Sequence, residues 1–184
     1  MASDTFSFAN IHTVALLSCC SWFMVTLLAH FATSRLWLGY SKLKLKHKLA
    51  WCNRIASAAH ALVLVSGQIP NLTDPVLNAH PLFGVTGIHF FWGSIMYGYL
   101  VYDTLFTLVF YPAVGSLVFL LHHCLGLVCC CFGLYFNKMA LFGTAIEVFF
   151  EGTTPLLHLM GCLKMMGREG SPSYTVLGRG RISS

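Results

Sequence analysis

Charged residues are scarce in this 184-residue sequence: Asp, Glu, Lys and Arg together make up 9% of it, against about 25% in a typical soluble domain. Hydrophobic residues make up 57%. This composition excludes a soluble globular domain, which needs a charged surface, and an intrinsically disordered chain, which is poor in apolar residues. Five membrane-crossing helices of about 20 residues each would leave space for short connections only. We therefore expect any functional site to lie inside the membrane.

The alternating polar and apolar pattern of a transmembrane β-barrel is also missing, because the apolar residues form continuous runs longer than about 18 residues. The five runs cover residues 11–33, 49–69, 85–110, 113–136 and 139–165. They predict an all-α, polytopic transmembrane bundle of about five helices. Residues 1–41 are expected to contain an N-terminal membrane anchor helix.

Acidic residues are few, six against eleven Lys and Arg, which gives a formal net charge of +5. The basic residues cluster after the first run, at Arg35, Lys42, Lys44, Lys46, Lys48 and Arg54, and after the fifth, at Lys164, Arg168, Arg179 and Arg181, with Lys138 alone on the other side. Because cytoplasmic loops carry the excess of Lys and Arg, this distribution predicts a lumenal or extracellular N-terminus and a cytoplasmic C-terminus.

Two segments outside the apolar runs carry local signals. Asn71-Leu72-Thr73 is an acceptor sequon for N-glycosylation in a predicted lumenal loop, although Pro70 and Asp74 also favour a simple turn there. Residues 167–184 are rich in Gly and Ser and predict a flexible cytoplasmic tail.

The fifth apolar run is expected to contain a kinked helix. Pro155 should kink that helix just after Glu151.

Several ionisable residues lie within the apolar runs, where each charged group costs about 2.5–3.5 kcal/mol near the midplane. Helical spacing places Glu147, Glu151 and Thr154 on one face of the fifth helix, and Tyr99 and Asp103 on one face of the third. The other ionisable residues within the runs are His60, His122 and His123. His89 and His158 lie near run ends, where their side chains could reach the membrane interface, so they are weaker candidates for a buried functional site.

These residues predict a polar cavity within the bundle. Its expected lining consists of Asp103, Glu147, Glu151, Tyr99, Thr154 and His60. His122 and His123 are about 100° apart on one helix, so one of them can face a ligand while the other turns away. A carboxyl group could orient that imidazole as a base or nucleophile. Alternatively, the same groups only hold helices together through hydrogen bonds of about 0.6–2 kcal/mol.

The spacing of ligating residues does not favour a metal site, since no single run contains two histidines three to five residues apart. We therefore predict no metal and no cofactor.

A set of short motifs follows the order of a known membrane family. They are Trp51-Cys52-Asn53-Arg54 after the Lys-rich loop, His60, Gly98-Tyr99-Leu100-Val101-Tyr102-Asp103, His122-His123-Cys124 and Glu151-Gly152-Thr153-Thr154-Pro155. Together they resemble the TLC domain, over residues 42–166. The resemblance implies a membrane domain of the endoplasmic reticulum or another endomembrane, concerned with lipid synthesis, transport or sensing. Family domains normally continue for about two more helices, so a partial domain is expected here.

The family includes ceramide synthases, in which a paired histidine is catalytic; that pair corresponds by motif to His122 and His123. An acidic residue that follows the pair in those enzymes would fall on Cys131 here. This difference favours a non-enzymatic role in lipid homeostasis, through binding, sensing or trafficking of membrane lipids such as sphingolipids or fatty-acyl species. The alternatives are an acyltransferase that uses acyl-coenzyme A, and a structural or partner-binding membrane subunit.

Overall fold

The computed structural model describes residues 8–136 and 139–179, and these residues form helices with no strand. The helices are α1 (Phe8–Leu36), α2 (Leu45–Leu72), α3 (Pro75–Ala79), α4 (Gly87–Val109), α5 (Leu117–Phe136), α6 (Ala140–Glu151), α7 (Thr154–Met165) and α8 (Pro172–Arg179), with a 3₁₀ helix (Leu38–Lys42) between α1 and α2. The predicted all-α class is confirmed. Each of the five apolar runs is helical, and α3 and α8 are short additions outside them.

The fifth run is broken where the sequence predicts a kink. Helix α6 ends at Glu151 and α7 begins at Thr154, with Pro155 in the first turn of α7. Proline is tolerated there because the first amides of a helix have no partner within that helix. The break therefore turns one predicted long helix into two helices of 12 residues each.

Within residues 8–136 and 139–179, three helices are long and apolar enough to cross a membrane: Asn10–Leu36, Leu45–Leu72 and Leu117–Phe136. The two halves of the fifth run are individually too short for this. Helix α4 has 23 residues and carries polar groups such as His89 and Asp103. Both of these side chains are buried, so the polar groups of α4 are turned inward and covered by other helices.

Helix α1 is an integral part of the bundle because it packs along α4. A Cβ atom at Gly98 would clash with the carbonyl oxygen of Ala15, so the backbones of the two helices lie very close together. The Ser18 hydroxyl donates a hydrogen bond to the carbonyl oxygen of Ile95, at 2.8 Å. The predicted N-terminal helix therefore covers one side of α4.

A buried tyrosine fixes the corner between α1 and α2. Tyr40 in the 3₁₀ helix is fully buried, and its hydroxyl lies 2.9 Å from His30 Nδ1 and 3.1 Å from Cys52 Sγ. Burial and the hydrogen bond to Cys52 raise the pKa of Tyr40 above its usual range. The Tyr40 hydroxyl therefore links α1 to α2 through its contacts with His30 and Cys52.

Two local predictions are corrected at the ends of the bundle. Helix α2 continues through Pro70 to Leu72, so the turn comes later, where Asp74 caps α3 by accepting hydrogen bonds from the amides of Val76 and Leu77. Part of the segment expected to be a flexible tail forms α8 instead. The remainder of that segment, residues 180–184, lies outside the described residues.

Candidate functional site

The carboxyl group of Asp103 lies at the centre of the bundle and is fully buried. Asn53 Nδ2 on α2 donates to Asp103 Oδ1 at 2.9 Å, and the Tyr99 hydroxyl donates to Asp103 Oδ2 at 3.1 Å. Each oxygen of the carboxyl group therefore has a donor within the chain. A carboxyl in the apolar interior needs such partners, because an unsatisfied one would be very costly.

The hydrogen bonds continue from Asp103 to α1. The Tyr102 hydroxyl donates to Asn53 Oδ1 at 3.1 Å, and Thr26 Oγ1 on α1 lies within hydrogen-bonding distance of the Tyr102 hydroxyl. Three helices, α1, α2 and α4, thus contribute to one polar network around Asp103. A network with few unsatisfied members holds its side chains in fixed orientations.

The two adjacent histidines differ in burial, although both line the same cavity. His123 is buried, with Nδ1 located 3.4 Å from Asp103 Oδ2, whereas His122 is exposed. The distance permits an electrostatic contact, but the angles do not make a hydrogen bond, since His123 Nδ1 has no hydrogen-bonding partner among the described residues. Phe119 packs on the His123 ring with the centroids 4.2 Å apart. Asp103 and Phe119 therefore hold His123 from two sides.

A cavity of about 430 Å³ lies beside His123, between α4, α5 and α6. The α4 wall consists of His89, Gly93, Met96 and Leu100, at intervals of four, three and four residues, which is one face of a helix. The volume falls within the range of about 300–1,000 Å³ that is typical of ligand sites. The lining is mostly apolar, and its titratable members are His89, His122, His123, Cys129, Cys130, Glu147 and Glu151.

Small residues leave this space open. Gly93, Gly126, Gly133 and Gly143 all line the cavity. A Cβ atom at Gly143 would meet no other atom within 4 Å, because that position faces the empty space. A larger side chain at Gly143 would therefore occupy part of the cavity.

A second polar cluster connects α6 to the far end of α2. Gln68 Nε2 donates to Glu147 Oε2 at 2.5 Å, and Gln68 Oε1 accepts from Asn71 Nδ2 at 2.6 Å and from the Thr144 hydroxyl at 3.4 Å. Gln68, Asn71 and Thr144 are fully buried. Gln68 thus orients Glu147 at the cavity wall, as Asn53 orients Asp103 behind it.

The predicted cavity residues are only partly brought together. Glu147 and Glu151 line the cavity, with His122 and His123. Tyr99, Asp103 and His60 do not line it, which corrects the prediction: Asp103 lies behind His123, and His60 stacks on Tyr99 in the core with ring centroids 3.5 Å apart. Thr154 does not line the cavity either, and its hydroxyl donates to the carbonyl oxygen of Phe150 across the break in the helix.

Three residues of the site are absent from the lining that the sequence predicts. His89 carries less weight in the sequence because of its place near a run end, yet it lines the cavity and is only 6% exposed. The spacing from His89 to Gly93, Met96 and Leu100 is a signal that could have identified it. Asn53 and Gln68 are amides inside an apolar run, and each pairs with a carboxyl group on another helix.

The sequon is placed unfavourably for glycosylation. Asn71 is fully buried within α2, and its side-chain nitrogen, to which a glycan would be attached, donates to Gln68. Asn71 therefore lies in a helix, and not in the loop that the sequence predicts. Among the described residues, no group of three or more His, Cys, Asp and Glu side chains is arranged to hold a metal ion.

Comparison with known proteins places this arrangement in a family. The TLC domain matches residues 50–178, which reaches further toward the C-terminus than the predicted 42–166. The chain is 31% identical over 125 residues to the human TLC domain-containing protein 4, covering 64% of this chain and 48% of that protein. It is 27% identical over 136 residues to the TLC domain-containing protein 4-B of Xenopus laevis, covering 73% of this chain and 52% of that protein.

The chain thus spans about half the length of the curated relatives it matches. No solved structure matches it significantly. The matched region contains α4, α5, α6 and α7 in full, and with them the whole cavity and the Asp103 network apart from Thr26. The chain belongs to the TLC domain family of membrane proteins.

Proposed function

We propose that this membrane protein acts in lipid homeostasis by holding a membrane lipid in the cavity between α4, α5 and α6. The cavity carries the proposal, because it combines an apolar lining with a few polar groups, as lipid and small-molecule sites do. His123 is the best positioned of these groups, since Asp103 and Phe119 limit its movement. Sphingolipids and fatty-acyl species are the candidate lipids, and the endoplasmic reticulum is the proposed location.

Photo-crosslinking tests lipid binding directly. Purified protein in nanodiscs would be irradiated with a fatty-acyl lipid that carries a diazirine in its chain, and the modified peptides identified by mass spectrometry. We expect the crosslinks on the cavity-lining faces of α5 and α6. Crosslinks spread evenly over the outward faces of all helices would instead indicate ordinary solvation by the bilayer.

Two glycine variants sharpen this test. Gly143→Phe places a ring in the cavity and should reduce the crosslinking several-fold, because a Cβ atom there enters open space without a clash. Gly87→Phe is the matched control, since a Cβ atom at Gly87 would also meet no other atom within 4 Å, but that position does not line the cavity. Equal crosslinking of both variants would contradict the proposal.

The pairing of His123 with Asp103 favours one alternative, an acyltransferase. An imidazole oriented by a carboxyl group can attack an acyl thioester: the nitrogen–acyl bond forms, the carbon–sulfur bond breaks and coenzyme A leaves as the thiol. Incubation with a long-chain acyl-coenzyme A should then add one acyl mass to the protein. His123→Ala should abolish the adduct and His122→Ala should retain it. An unmodified wild-type protein would exclude this alternative.

A further inference from the structure

Besides His123, whose Nδ1 faces Asp103, two residues of the cavity wall have buried polar atoms that lack a hydrogen-bonding partner in the described part of the chain. They are His89, through both ring nitrogens, and Glu151, through Oε2. Buried polar groups are nearly always hydrogen-bonded in folded proteins. His89 is only 6% exposed and borders an empty cavity, so it is suited to bind a ligand there.

The chemistry of His89 limits what the ligand can be. A neutral imidazole offers one donor and one acceptor, so a matching ligand must both accept and donate. A hydroxyl group does both. A phosphate or carboxylate only accepts hydrogen bonds, and an ammonium group only donates them.

The charges in the cavity give a second argument against anionic heads. The lining residues that the structure describes include the two carboxyl groups of Glu147 and Glu151 and no Lys or Arg. An anionic lipid head would enter this space without a cation to pair with, and burying an unpaired charge is costly. The cavity therefore disfavours heads with a net negative charge, such as those of fatty acids and anionic phospholipids.

The position of His89 identifies the end where the head would lie. His89 is in the first turn of α4, and Leu100, the last α4 residue in the lining, lies 11 residues further, or about 16 Å along the helix axis. Between them the wall is formed by Gly93 and Met96. A head bound at His89 would be near the end of the helix, where lipid heads lie in a bilayer, and its chain would extend along the apolar wall.

We propose that His89 is the headgroup-binding residue of the cavity and that its ligand is an uncharged lipid whose head carries hydroxyl groups. This inference rests on the proposed function, since it assigns the ligand of the same cavity. It adds a residue and a lipid class, and both can be wrong while the cavity still binds a lipid.

Competition among lipids with one common acyl chain tests the ligand class. Monooleoylglycerol, oleoyl lysophosphatidic acid, oleic acid and oleylamine would each be used to displace the diazirine lipid from the wild-type protein. We expect monooleoylglycerol to displace it at concentrations at least about tenfold lower than the other three. Equal or better displacement by a lipid with a phosphate, carboxylate or amine head would overturn the inference and leave the proposed function standing. Absence of any cavity crosslink would overturn both.

Variants of His89 test the residue. His89→Leu should remove the preference for monooleoylglycerol, whereas His89→Asn, which keeps one donor group and one acceptor group, should retain most of it. His80→Leu is the matched control, because His80 is exposed and does not line the cavity. A preference that survives in His89→Leu would show that another residue binds the head.

Discussion

His60 on α2 stacks on Tyr99 of α4, with the ring centroids 3.5 Å apart and the planes within 11° of each other. Trp22 of α1 packs edge-on against both rings, at centroid distances of 5.1 and 5.9 Å. Three helices therefore meet at one aromatic contact directly behind the site. Tyr99 also donates a hydrogen bond to Asp103, so the stack supports the residue that orients His123.

The aromatic stack predicts a clear stability difference between two His60 variants. His60→Ala removes a fully buried ring and should lower the free energy of unfolding by about 2–5 kcal/mol, as other large-to-small core changes do. His60→Phe keeps the stack and should cost less than about 1.5 kcal/mol. Thermal unfolding in detergent, followed by tryptophan fluorescence, measures both. The exposed His47→Ala is the control, and an equal loss in all three variants would contradict a specific role for the stack.

Exchanging Asn53 and Asp103 separates the structural role of this pair from a functional one. Asn53→Asp alone sets two carboxyl groups against each other, and Asp103→Asn alone disturbs the donors around residue 103; each should cost about 1–3 kcal/mol. The double exchange allows all three hydrogen bonds of the pair to re-form, with Tyr99 and Tyr102 still donating, and should recover most of the stability.

The same double exchange moves the carboxyl group away from His123. If the contact between His123 and Asp103 matters for function, the stable double variant should lose lipid crosslinking or acylation. Retained function at normal stability would mean that the network only holds the helices together, as the structural alternative predicts.

The hydrogen bonds of the Gln68 side chain connect α6 to α2, and we expect them to contribute to the free energy of unfolding. Gln68→Leu would leave Glu147 and Asn71 without their partner and should lower the stability by about 1–3 kcal/mol. Ser66→Ala is the control, since the Ser66 hydroxyl is exposed and donates only within its own helix. A Gln68→Leu protein that unfolds at the wild-type temperature would show that this buried cluster contributes little.

The number of membrane crossings can be tested with inserted glycosylation acceptors. A glycine- and serine-rich loop with a sequon, inserted after Gly115, would be cytoplasmic and unmodified if α4 crosses the membrane, but lumenal and glycosylated if only the three most apolar helices cross. We expect no modification there, and modification of the same loop inserted after Leu82. The unaltered chain should show no glycan at Asn71, because that side chain is buried.

Much of the architecture could be predicted from local pattern alone. The apolar runs predict helices, and Pro155 predicts the break between α6 and α7, because these effects depend on neighbouring residues. The angle between His122 and His123 likewise follows from helix geometry, but it does not show that His122 is exposed, that His123 is buried and that both line the cavity.

The partners of each polar side chain could not be predicted in this way. Asn53 and Asp103 are 50 residues apart, and Gln68 and Glu147 are 79 apart. Helical periodicity places a residue on a face but does not say which other helix covers that face. It therefore assigns His60 and Tyr99 to the cavity although they pack behind it, and it gives little weight to His89 although that residue lines the cavity.

Composition and periodicity alone determined that this chain is helical, lies in a membrane and keeps ionisable groups within its apolar segments, because each of these properties depends on residue type and short-range spacing. Only the tertiary structure decided that Asp103 lies behind His123 and that a cavity lies between α4, α5 and α6. The physical reason is that a cavity is bounded by side chains from several helices, and its shape depends on how closely those helices pack.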